Sequence, residues 1–64
     1  MTLGTYYIPY KEGTMTRNQA RVMRAVGEKA FLRQIINGTG FSAQAAYSLV
    51  ERLVETEILQ AIDV

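Results

Sequence analysis

Gln44, Ser48 and Arg52 recur every four residues, with Ala45 beside them and Ser42 just upstream. On a helix that spacing gathers them on one side. Gln can make paired hydrogen bonds to adenine, Arg to guanine, and Ser to a base edge or a phosphate. Small neighbours such as Ala43 and Ala45 let such a surface come close to its target. The chemistry on offer is recognition by hydrogen bonding, not bond making.

The rest of the composition agrees with that choice. The chain contains no histidine and no cysteine. The commonest general base, the commonest metal ligand and every thiolate site are therefore missing. The six acidic residues show no paired arrangement. Catalytic residues, a metal site and a cofactor are not expected. Gly38-Thr39-Gly40 is too short to cradle a phosphate and reads as a helix breaker.

No apolar run approaches the roughly 20 residues of a membrane span. The amino terminus lacks the charged-then-apolar layout of a secretory signal. A cytoplasmic protein without a membrane partner is expected. The 64 residues suit one domain, 1–64. A chain this short buries only about 60% of its unfolded surface, so its core must be compact.

A net charge of +1 is too small to predict nucleic-acid binding by itself. The distribution is more telling. Residues 1–40 hold Lys11, Arg17, Arg21, Arg24, Lys29 and Arg33 against Glu12 and Glu28. Residues 41–64 hold Arg52 against Glu51, Glu55, Glu57 and Asp63. A basic side can meet phosphate, or it can meet the acidic side of another copy.

Three helices and two strands must position these groups. Thr16 is an N-cap with Gln19 as its capping-box partner, and Gly27 is a stop, which predicts a helix over 17–26. One side of it carries Gln19, Val22, Met23 and Val26; the other carries Arg17, Arg21 and Arg24. That arginine stripe is a solvated face, or it faces phosphate or a partner. Residues 30–37 read as a second helix with a wide apolar arc of Phe31, Leu32, Ile35 and Ile36, ended by the glycines. Phe41 should drop into the core. Ser42 caps the longest helix, 43–55, whose Ala46, Leu49, Val50 and Leu53 point inward. Glu51 and Glu55 also point outward, in its second half.

Tyr6–Tyr10 favours a strand, with Tyr6, Ile8 and Tyr10 on one face, and its tyrosines either cover part of a thin core or form a contact surface for a partner or nucleic acid. Pro9 confines it to an edge or ends it. Ile58–Val64 reads as a second strand, with Ile58, Ile62 and Val64 on one face. The two terminal strands are the available partners for each other. The expected fold is mainly α with a small β-ribbon. An amino-terminal strand and loop (1–15) precedes a three-helix helix-turn-helix core (16–55), and a carboxyl-terminal strand (58–64) follows it. The expected core is Val22, Met23, Val26, Leu32, Ile35, Phe41, Ala46, Leu49, Val50, Leu53 and Ile58.

Residues 16–62 resemble the core of a winged helix-turn-helix domain. The helix from Thr16 to Val26 is similar to the opening of that core in multiple-antibiotic-resistance (MarR) type regulators. Leu32–Ser42 resembles the family's second helix and turn, and Leu49–Leu59 the close of its recognition helix. The DNA-reading gamma domain of bacterial septal DNA translocases has the same cadence. The resemblance covers about three quarters of the chain and rests on patterns of residue type. It implies recognition positions at Ser42, Ala43, Gln44, Ala45, Tyr47, Ser48 and Arg52. Three departures stand out. Ile36 replaces a usual alanine, Glu57 replaces a frequent glycine, and the wing is truncated, so the fold expected is a minimal winged helix.

Two functions follow as expectations. The first is a small sequence-specific DNA-binding regulator, a transcriptional repressor or accessory factor of phage or plasmid size. Gln44, Ala45, Ser48 and Arg52 would read bases of double-stranded DNA, while Thr39, Ser42, Tyr47 and Arg33 hold the backbone. The low charge of one copy calls for a homodimer on a palindromic site. The alternative is a protein-interaction module, a small inhibitor or adaptor that binds a larger protein through Arg17, Arg21, Arg24, Tyr6, Tyr7 and Tyr10.

Overall fold

Thr16 opens the first helix by a reciprocal cap: its Oγ1 accepts from the Gln19 N–H at 3.1 Å, and its own N–H donates to Gln19 Oε1 at 2.9 Å. In a computed structural model, which describes residues 4–63, that helix is α1, Arg17–Val26, closed by Gly27. Ser42 caps the longest helix by a single bond, accepting from the Ala45 N–H at 3.2 Å. This helix is Ala43–Glu55; as the third in the chain it is α3. Both ranges are those the caps predict.

The second helix, α2, runs over Leu32–Thr39, two residues later than the sequence suggests. Ala30–Phe31 is instead a short strand, β2. It pairs with the amino-terminal strand β1, Thr5–Pro9, which also pairs with β3, Leu59–Asp63. The result is an antiparallel sheet in the order β2-β1-β3, with the terminal strands joined as expected. Three helices and a small sheet make the fold mainly α.

Gly38 does not break α2; it lies inside it. A Cβ there would stand 3.1 Å from the Ala25 Cβ, so glycine lets α2 approach α1 closely. The stop is Gly40, whose left-handed backbone (φ 75°) lets its N–H reach the Ile36 carbonyl at 2.9 Å. β1 ends at Pro9, one of the two expected outcomes, although the strand is central in the sheet. Tyr10 donates to the Ile58 carbonyl at 2.9 Å, so by alternation Pro9 turns its nitrogen toward the β2 side. There β2 reaches only as far as Tyr7, and no ladder bond is lost.

The inward face of the sheet carries Tyr7, Ala30 and Leu59, which join Val22, Val26, Ile35, Val50, Leu53 and Ile58 in one buried cluster. Ala46 is buried as expected. Met23, Leu32, Phe41 and Leu49 pack against the cluster half-buried. Tyr7, Ala30 and Leu59 are additions to the expected core. Tyr7 is 8% exposed, so it belongs to the core and not to a contact surface. Phe31 leaves the expected α2 arc and stands 42% exposed on the outer sheet face, edge-on to Tyr6 at 5.8 Å.

Ile58 and Ile62 do not share a face. Ile58 precedes β3 and is buried, whereas Ile62 is paired with Tyr6 and lies on the outer side with it. Val64 lies outside the described residues.

Candidate nucleic-acid interface

Ser42 sits at the hinge of the candidate site. Thr39 ends α2, Gly40 reverses the chain, and Phe41 tucks against the core before Ser42 starts α3. The arrangement displays α3 with its inner face on Ala46, Val50 and Leu53. Ser42, Ala43, Gln44, Ala45, Tyr47, Ser48 and Arg52 are all exposed, as is Arg33 on α2. The structure therefore brings eight of the nine sequence-designated DNA residues to the surface.

The ninth is a correction. Thr39 is 4% exposed. Its hydroxyl donates to the Ile35 carbonyl at 2.7 Å and accepts the Phe41 N–H at 3.3 Å. Both capacities are used within the turn, so Thr39 cannot hold a phosphate. It fixes the turn instead.

The crest of α3, directly opposite its core face, is the row Gln44, Ser48, Glu51 and Glu55. Arg52 lies off that crest. It helps line an open groove of about 450 Å³ between α3 and the start of α1, with Ser48 and Leu49 on one wall and Thr16 and Gln19 on the other. The first half of the crest is neutral and the second half is acidic. A helix that enters a groove by its amino-terminal half keeps Glu51 and Glu55 furthest from phosphate.

The arginine stripe also has a defined place. Arg17, Asn18, Arg21 and Arg24 line one concavity of about 310 Å³ on the outside of α1. The Arg21 guanidinium stands 5.3 Å from the centre of the Phe41 ring, a cation–π contact that ties the stripe to the turn. Residue order alone gave no sign of this contact.

Elsewhere, Lys29 stands 5.5 Å from the Tyr6 ring centre, and Lys11 pairs with Glu57 at 3.3 Å between exposed side chains. Burial raises the Tyr7 pKa, with the negative charge of ionised Tyr47, Asp63 and Glu51 adding to it. Among the described residues no three potential ligands gather for a metal ion. No described helix is long and apolar enough to cross a membrane.

No known family, curated protein or solved structure matches the chain.

Proposed function

We propose that this chain is a small sequence-specific DNA-binding regulator built as a minimal winged helix-turn-helix, and that it inserts α3 into the major groove. The observation that carries the reading is the display of α3. Its capped amino-terminal half exposes Ser42, Ala43, Gln44, Ala45, Tyr47 and Ser48, and carries no acid from Ser42 to Val50. A helix is narrow enough to enter the major groove, and its amino terminus favours the approach of phosphate. Gln44 and Ser48 sit on the crest to meet base edges. Arg52 reaches in from the groove wall, and Ser42, Tyr47 and Arg33 flank them for the backbone. One copy carries few cations, so two copies on a palindromic site supply the affinity. Such a repressor or accessory factor acts in the cytoplasm.

The test is fluorescence anisotropy of labelled random-sequence duplex DNA at several salt concentrations, followed by selection of a preferred site. The parent should bind, and binding should weaken steeply with salt. Gln44→Ala with Arg52→Ala should erase the preference among sequences while the far-ultraviolet circular dichroism stays that of the parent. A variant that keeps the parent's preference removes α3 as the reader.

One observation favours a second reading, a protein-interaction module. The outer sheet face carries Tyr6, Ile8 and Ile62, all half-buried, and the exposed Phe31. Half-exposed aromatic and β-branched side chains on adjacent strands suit docking on a larger protein. Ile8→Gln with Ile62→Gln should abolish such docking and leave DNA binding by a single copy unchanged.

A further inference from the structure

We propose that Arg17, Arg21 and Arg24 form a second DNA contact, a clamp for the phosphates of the strand that borders the groove α3 enters. The inference rests on the DNA-binding reading and extends it to a surface that α3 does not contain.

The three arginines share one face of α1 and line one concavity with Asn18. All three are exposed. Among the described residues, none has a carboxylate within ion-pair distance; the ion pair found there is Lys11 with Glu57. Like charges at these helical spacings repel one another, and here no acid on α1 offsets them. A polyanion does.

Geometry selects the polyanion. Arg21 touches Phe41, and Phe41 directly precedes the Ser42 cap of α3. Arg21 therefore stands beside the amino-terminal end of α3, the end proposed to enter the groove. Along α1, Arg17 and Arg24 are separated by a rise of about 10 Å. That spread sets the three guanidiniums in a row that can follow the phosphates of one strand. Guanidinium suits this role because its planar fork grips phosphate through two hydrogen bonds at once. Asn18 adds a neutral amide to the same hollow. The cation–π contact holds Arg21 partly ordered before DNA arrives, which lessens the side-chain entropy lost on binding.

The experiment compares the parent with Arg17→Gln/Arg21→Gln/Arg24→Gln on labelled random-sequence duplex DNA across a salt series. Each neutralised phosphate contributes about 0.9 to the slope of log K against log salt, so the variant's slope should be shallower by about 2.7. Its thermal midpoint should stay near the parent's, because the repulsion removed offsets the lost Arg21–Phe41 contact. A triple Arg→Lys variant should recover most of the slope. The base preference set by Gln44 and Arg52 should persist in both.

A parent that binds DNA with a slope the glutamine variant shares overturns the clamp and leaves the DNA reading intact. A parent that does not bind even at low salt overturns both. If the glutamine variant keeps the DNA slope but loses binding to a labelled poly-glutamate peptide, the stripe serves an acidic protein surface and the clamp is wrong.

Discussion

The Ile58 N–H donates to the Leu53 carbonyl at 2.9 Å across the end of α3, with Glu57 held at φ 62° between them. The Glu57 N–H closes on the Val54 carbonyl at 3.0 Å, completing the paired bonds that normally terminate a helix on a left-handed glycine. Here glutamate takes the glycine's conformation. The turn into β3 is thus the ordinary one, reached at a conformational cost. Leu53 and Ile58 are both buried beneath it.

Glu57→Gly should therefore stabilise the fold. A non-glycine residue in this region costs about 1–2 kcal/mol, and the exposed pair with Lys11 gives back less than about 1 kcal/mol when lost. Allowing for the greater freedom of glycine when unfolded, a net gain of a few tenths of a kcal/mol, at most about 1, is expected. In a domain this small, 1 kcal/mol corresponds to about 4–8 °C in Tm. Glu57→Ala, which keeps a Cβ, should show no gain. Equal melting of the glycine variant and the parent would mean the turn stores no strain.

Thr39→Val should destabilise by about 1–3 kcal/mol, because the Phe41 N–H loses its acceptor in a part-buried turn. Denaturant titration measures that loss. DNA affinity per folded molecule should be unchanged, since the hydroxyl never reaches solvent. A selective loss of affinity with normal stability would return Thr39 to the binding surface.

Tyr7 sets part of the alkaline limit. Its pKa is raised in the folded protein above the ordinary 10.0, first by burial. The stabilisation from keeping the phenol neutral is complete below pH 10.0 and is lost as pH rises through the higher folded value. The parent should lose stability from about pH 10 upward, and Tyr7→Phe should lose less. Urea midpoints at about pH 9 and about pH 11 test this; identical pH dependence in the two proteins would rule Tyr7 out as a cause.

Glu51 and Glu55 share the α3 crest with Gln44 and Ser48. Glu51→Gln with Glu55→Gln should raise affinity for random-sequence duplex several-fold at low salt, and the gain should shrink as salt screens it. Unchanged affinity would place the whole crest away from DNA.

What could be read from the sequence was local. α1 and α3 were legible to the residue because Thr16, Gln19 and Ser42 make their capping bonds within three positions. The exposure of Gln44, Ser48 and Arg52 followed from helical period alone. Ala30–Phe31 was illegible as a strand because its partners, Tyr6 and Tyr7, are remote in the chain. Gly38 looked like a breaker because its reason for being glycine is Ala25, on another helix. Thr39 looked like a surface hydroxyl, and only the turn's path buries it. The face of Ile58 was misjudged because the reversal at Glu57 resets the two-residue alternation before β3 begins.

The position of β1 between β2 and β3 has a consequence in time. Thr5 lies opposite Asp63, so the sheet's central pairing joins nearly the most distant residues described. The ribosome delivers β1 first and β3 last. Until β3 emerges, one side of β1 stays unpaired, and Tyr6 and Ile8 wait beside an open edge. The helices can collapse early on local contacts, but sheet closure must await a long loop, which slows folding relative to a purely helical bundle. The interval before β3 arrives is when a nascent chain is most prone to pair with a neighbour instead of with itself.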